Sequence, residues 1–211
     1  LNITNGSVSP RYDGINNYNK GQVTIIGGTI TSWINNHGSL TMTNGTITSN
    51  INNQSTGQAT ITGGTISSDY NGISNSGTLN VLGGTIKGNN YAITNSGGTV
   101  NIENVTLADS NIGISNNSGI VNIAVNVTIN ANNIGLSNSG TINIGTKDGN
   151  VSTEMPVITG KTYGVSNSDS GKVNFYDGIV SGETGAFSGT VNEVEPGYKI
   201  VTNKTDTLTS A

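Results

Sequence analysis

The chain has 211 residues and a formal net charge of −4, with 9% charged residues, 5% aromatic residues and no cysteine. These values exclude a disulfide framework and a thiolate metal site. The eight Lys and Arg are spread along the chain, so no basic stripe exists to displace counterions from a nucleic acid, and no run of about eighteen apolar residues offers a membrane span. Asn, Gly, Thr, Ser, Ile and Val fill the chain instead. β-branched residues favour strands, whereas Asn and Gly favour tight turns and left-handed backbone, so the composition points to many short strands. Disorder is the competing reading of so much Ser, Asn and Gly, and the regular spacing of the aliphatic residues opposes it.

In chain order, Leu1 aligns with Leu40, so the sequence opens in mid-coil and the natural protein is expected to extend upstream. The first ladder pair is Ile15 with Asn17 two positions later. The same pair recurs at Ile34/Asn36, Ile51/Asn53, Ile73/Asn75, Ile93/Asn95, Ile114/Asn116, Leu136/Asn138 and Val165/Asn167. Subtracting successive Asn positions gives steps of 19, 17, 22, 20, 21, 22 and 29 residues, the period of a short-coil solenoid. Each pair is followed by a glycine and an alternating strand such as Val23-Thr24-Ile25, Leu79-Asn80-Val81 or Val121-Asn122-Ile123, aliphatics on one face and Thr or Asn on the other. A second short strand follows Gly-Gly or Asn-Gly at Thr29-Ile30, Thr46-Ile47, Thr65-Ile66 and Thr85-Ile86; later coils replace those glycines, as in Asn104-Val105-Thr106-Leu107. The third strand carries the ladder aliphatic itself.

Three short strands per coil predict an all-β, single-stranded parallel β-helix of about 8–9 coils. One coil buries five or six aliphatics at about 1.5–3 kcal/mol each, less than the ordering cost of about twenty backbone units at ~1–2 kcal/mol. Only stacking makes the coil stable. At each turn Asn17, Asn36, Asn53, Asn75, Asn95, Asn116, Asn138 and Asn167 are expected to face inward, each amide bonding its own turn and the amide above. The alternative, Asn in a surface αL turn, does not explain the constant offset from the aliphatic.

The pattern lengthens once, at 146–156, between Ile144 and Val157, and decays after Gly171. The predicted division is coils over 1–188, a capping segment over 189–202 that carries Pro196 and several charges, and a linker or the start of another module over 203–211.

These coils resemble the pectin-lyase-like superfamily of right-handed parallel β-helices, in its short-coil, Asn-laddered form. The run Lys147–Ser152, then Phe175-Tyr176-Asp177-Gly178, then Glu195-Pro196-Gly197-Tyr198, is similar to the closing part of β-helix repeats in large surface proteins of Gram-positive bacteria. That resemblance, not the spacing, supplies the right-handedness. It also implies export, attachment to the bacterial cell wall and an adhesin-like or stalk-like role.

Fold does not give function, because polysaccharide lyases and hydrolases share this shape with inert scaffolds. An enzyme would need clustered carboxylates. The candidates Asp13, Asp69, Glu103, Asp109, Asp148, Asp177 and Glu183 are not placed on adjacent coils with a basic partner, and Arg11 beside Asp13 is read as a surface ion pair. His37, the single histidine, follows ladder Asn36 in a turn read as solvated. No calcium-loop pattern occurs. No catalytic residue, metal ligand or cofactor is therefore expected. Tyr12 and Tyr70 are the candidate ligand contacts, in a slot otherwise filled by Asn90, Asn111, Asn133 and Thr162, whereas Tyr91 and Tyr163 share the slot of Ile112 and Ile134 and are expected to pack in the core. Outward hydroxyls at Thr29/Thr31, Thr46/Thr48 and Thr65/Ser67 would suit an ice-binding face, but the array fails at Lys87. The expectation is a non-catalytic structural or adhesive module, secreted or displayed at the cell surface, with a carbohydrate or host surface protein as partner. The alternative is a polysaccharide-active enzyme.

Overall fold

The computed structural model describes residues 1–9, 14–147 and 154–194. They form one sheet of 24 strands, all of whose pairings are parallel, with no helix. At three strands per coil this is a parallel β-helix of about eight coils, consistent with right-handed winding. Several strands run round a corner without interruption, the longest being Val105–Ile123.

Register follows the sequence repeat. The first strand of each coil aligns Val23 with Leu40, Ala59 with Leu79, and Val100 with Val121. The second strand stacks Ile30, Ile47, Ile66, Ile86, Leu107, Ile129, Ile158 and Val180. The third stacks Ile34, Ile51, Ile73, Ile93, Ile114, Leu136 and Val165. All of these are buried and form one continuous core. Period-two alternation explains why: each strand turns its aliphatics to the inside, and the next coil repeats the same letters in register. In the last coils the filling changes, and Phe175 meets Phe187 edge-on with ring centroids 6.1 Å apart.

The corner between first and second strands is a left-handed turn. Gly28, Gly45, Gly64 and Gly84 have φ between 84° and 100° and immediately precede the strand threonine. In the next two coils the positive φ falls on Asn104 (52°) and Asn126 (54°), one residue earlier, and the freed position holds Val105 and Val127, both buried. The replacement of these glycines is thus a different turn that adds a core side chain. Asn tolerates αL best among residues with a Cβ.

Of the expected capping segment 189–202, the described part includes Glu193–Val194, whose backbone pairs with Asn174–Phe175 as another first-strand rung. The remainder of that segment and the expected linker 203–211 lie outside the described residues, as do residues 148–153 of the lengthened coil. On the near side of that insertion Lys147 Nζ lies 5.5 Å from the ring centre of Tyr176. On the far side the Glu154 carbonyl accepts from the Asn126 amide at 2.6 Å.

Candidate functional site

The eight predicted ladder asparagines face inward and are joined. Nδ2 of Asn17 donates to Oδ1 of Asn36 at 2.6 Å, and the chain of bonds continues through Asn53, Asn75, Asn95, Asn116 and Asn138 to Asn167 at 2.7–3.0 Å. All eight are 7% exposed or less. Each Nδ2 also donates to backbone carbonyls, as Asn75 does to Gly77 of its own turn at 3.0 Å and to Thr99 of the next coil at 3.3 Å. The amides therefore tie strand ends within a coil and between coils.

The glycine after each ladder position has a steric reason. At Gly57, Gly98, Gly140 and Gly171 φ is ordinary, but a Cβ would meet the amides of Asn53, Asn75, Asn116 and Asn167 and the carbonyl of the coil below.

A second ladder runs on the outside. Asn101 Nδ2 donates to Asn80 Oδ1 at 2.8 Å, and Asn122, Asn143 and Asn174 continue the chain at 2.7 Å. Its donors point to the preceding coil, whereas those of the inner ladder point to the following one. By periodicity these residues are only the polar half of an alternation; what marks the ladder is the same amide at one strand position in five successive coils. At its end Asn174 Oδ1 is buried and has no hydrogen-bond partner among the described residues.

The candidate ligand contacts divide. Tyr70 is 73% exposed at the corner before the third strand. Tyr12 lies outside the described residues, together with Arg11, Asp13 and Asp148. Tyr91 and Tyr163 do share a column with Ile112 and Ile134, but all four are half-buried on the outer face, so the expectation of core packing is corrected. The residue next to the inward glycine or alanine of this strand points outward by alternation. The outward hydroxyl column is longer than three rungs: Ser7, Thr29, Thr46, Thr65, Thr85, Thr106 and Thr128 are in register, while its companion column meets Lys87 after Ser67.

Among the carboxylates, Asp177 is buried, and Asp69, Asp109 and Glu183 are exposed. Asp109 Oδ2 lies 3.5 Å from Lys87 Nζ. Between these exposed side chains such a pair contributes at most about 1 kcal/mol. Among the described residues no group of three or more His, Asp and Glu could hold a metal ion, and no helix is long and apolar enough to cross a membrane.

Several surface recesses offer polar groups to a ligand, and two lie at corners of the coils. A groove of about 430 Å³ follows the corner between second and third strands, with Asn130, Thr159 and Ser181 on one wall and Asn132, Lys161 and Glu183 on the other. A smaller recess of about 290 Å³ lies over the turn of His37. No protein-family model matches the sequence, and neither a curated protein nor a solved structure matches it.

Proposed function

We propose that this chain is a non-catalytic spacer and adhesive module of an exported bacterial surface protein, which extends other parts of that protein or presents a long polar face to a glycan or a host protein. The observation that carries this reading is the uniformity of the rod. One ladder of amides passes through eight turns, and about eight coils at roughly 4.8 Å give a length near 40 Å. The sequence resemblance to repeats of Gram-positive surface proteins supplies the localisation. Glu103 and Asp109 share one coil and Asp177 and Glu183 another, but in each pair the second strand lies between the two residues and puts them at different corners, and Asp109 is engaged by Lys87, which favours a scaffold over acid–base chemistry.

Glycan contact has specific support in the corner groove, where amides, hydroxyls, Lys161 and Glu183 line one depression. Such convergent polar groups in a concave site are what oriented ligand binding requires. The decisive experiment offers the purified chain to a glycan array and to host-cell monolayers, and separately incubates it with plant and bacterial polysaccharides. Binding without cleavage supports adhesion, and a blank in the binding arms leaves the spacer role. Release of reducing ends or unsaturated uronates would overturn the non-catalytic reading.

A further inference from the structure

The turn that follows each ladder asparagine varies in length. Asn17 is followed by Tyr18-Asn19-Lys20-Gly21, and Asn53 by Gln54-Ser55-Thr56-Gly57, each closed by a bond from the glycine N–H to the carbonyl three residues earlier, at 2.7 and 2.8 Å. Between them Asn36 is followed only by His37 and Gly38. The coil of His37 is therefore two residues shorter at this corner than both neighbours, and the deficit leaves a recess of about 290 Å³. Thr56 spans the gap: its hydroxyl lies 2.9 Å from the His37 carbonyl and 3.0 Å from Asn19 Oδ1, two coils away.

The groups around this recess are Lys20, His37, Ser39, Thr56, and the side-chain amides of Asn19, Gln22 and Gln58, with no carboxylate among the lining residues. In a chain with net charge −4, that is a local reversal of sign. The contacts of Asn35 favour one tautomer of a neutral His37. Asn35 Oδ1 accepts from Gln54 Nε2 at 2.7 Å, so its Nδ2 is the atom 3.3 Å from His37 Nε2. An amide nitrogen can only donate, so Nε2 accepts and the neutral ring carries its proton on Nδ1, as a donor. Lys20 supplies a separate observation. Its φ is 67°, whereas the other non-glycine residues with positive φ among the described residues are Asn104, Asp109 and Asn126. Lysine has no short polar side chain to favour αL, and a left-handed backbone at a residue that lines a recess points to a use for its side chain.

We infer that the recess over His37 binds a single oxyanion, a sulfate, phosphate or carboxylate group, through the Lys20 ammonium and the His37 imidazole, with Ser39, Gln22 and Gln58 as further donors. Charge-assisted bonds are the strong ones for such groups, and about 290 Å³ admits the anion with part of the molecule that bears it.

The test is an NMR titration of the full chain with sodium sulfate, sodium phosphate and sodium glucuronate, each at constant ionic strength against chloride. At least one arm is expected to give saturable shifts of the His37 ring and of the amides of Lys20–Gln22 and His37–Ser39; which arm responds separates inorganic anion from sugar carboxylate. Lys20→Gly removes the charge while relieving the backbone, so it folds, and it is expected to weaken binding roughly tenfold, as loss of one charged hydrogen bond does. His37→Gln should weaken it as well. No saturable shift in any arm, or an affinity in both variants equal to that of the unaltered chain, would overturn the proposal. So would shifts spread over Lys87, Lys147, Lys161 and Lys172.

Discussion

Asn95 donates to Asn116 Oδ1, to Gly98 O and to Ser118 O, and accepts from Asn75, all from a fully buried position. Replacing it with Ala takes the donor from Asn116 Oδ1 and from the carbonyls of Gly98 and Ser118, and one acceptor from Asn75 Nδ2, all in the buried interior, where each group left unsatisfied costs about 1–3 kcal/mol. Asn95→Ala is therefore expected to lower unfolding free energy by roughly 3 kcal/mol in urea. Asn101 sits in the outer ladder and is half-buried, so water replaces its lost partners, and Asn101→Ala should cost only about 1 kcal/mol. Comparable losses from the two variants would contradict the distinction between the ladders. The inner ladder was legible because it combines a fixed offset from an aliphatic with a following glycine. The outer ladder was not, because Thr24, Thr41 and Thr60 stand between Asn2 and Asn80 in its column and disguise it as ordinary β-sheet polarity.

At the scale of the element, corner turns carry information that strand periodicity lacks. The shift of positive φ from Gly84 to Asn104 brings Val105 into the core, and no rule of strand alternation foretells it. Asn104→Ala is expected to destabilise by about 1 kcal/mol, because Ala has neither glycine's freedom nor the Asn side chain's tolerance of αL. Asn104→Gly should be neutral within about 0.5 kcal/mol, and chemical denaturation of the two variants checks the pair. Equal loss in both would mean that the Asn104 side chain, which accepts from Asn126 at 3.1 Å, matters more than the backbone. The same lesson applies to His37. The shortness of its turn was visible in the step of 17 residues from Asn36 to Asn53, but a recess arises only because both neighbouring turns are longer, which register alone reveals. For Tyr91 and Tyr163 the repeat gives the column but not the face, since that corner reverses alternation around Gly72 and its equivalents.

For the whole molecule, stability is a sum of coil-to-coil interfaces. Deleting residues 76–95 removes one complete coil and joins Asn75 to Ser96, keeping a ladder asparagine beneath every other. That variant is expected to keep its β-sheet circular dichroism and unfold cooperatively at somewhat lower urea. Deleting only residues 76–85 breaks register, turns aliphatics outward and should prevent folding. If the half-coil deletion also folds, register is not what holds the rod. Coil count, strand order and core columns were all readable from the sequence because the repeat states them several times over. The recess over His37 was not, because it depends on how neighbouring turns differ in length.

The most direct measurement is hydrogen exchange of the side-chain amides in a chain labelled with ¹⁵N at asparagine. The Nδ2 groups of Asn75, Asn95 and Asn116 are each bonded on both their own coil and the next, so their amide protons are expected to exchange only through unfolding of the rod, far more slowly than those of exposed Asn89 and Asn132. Exchange of all five at the same fast rate would contradict the buried ladder and, with it, the assignment of register to these amides.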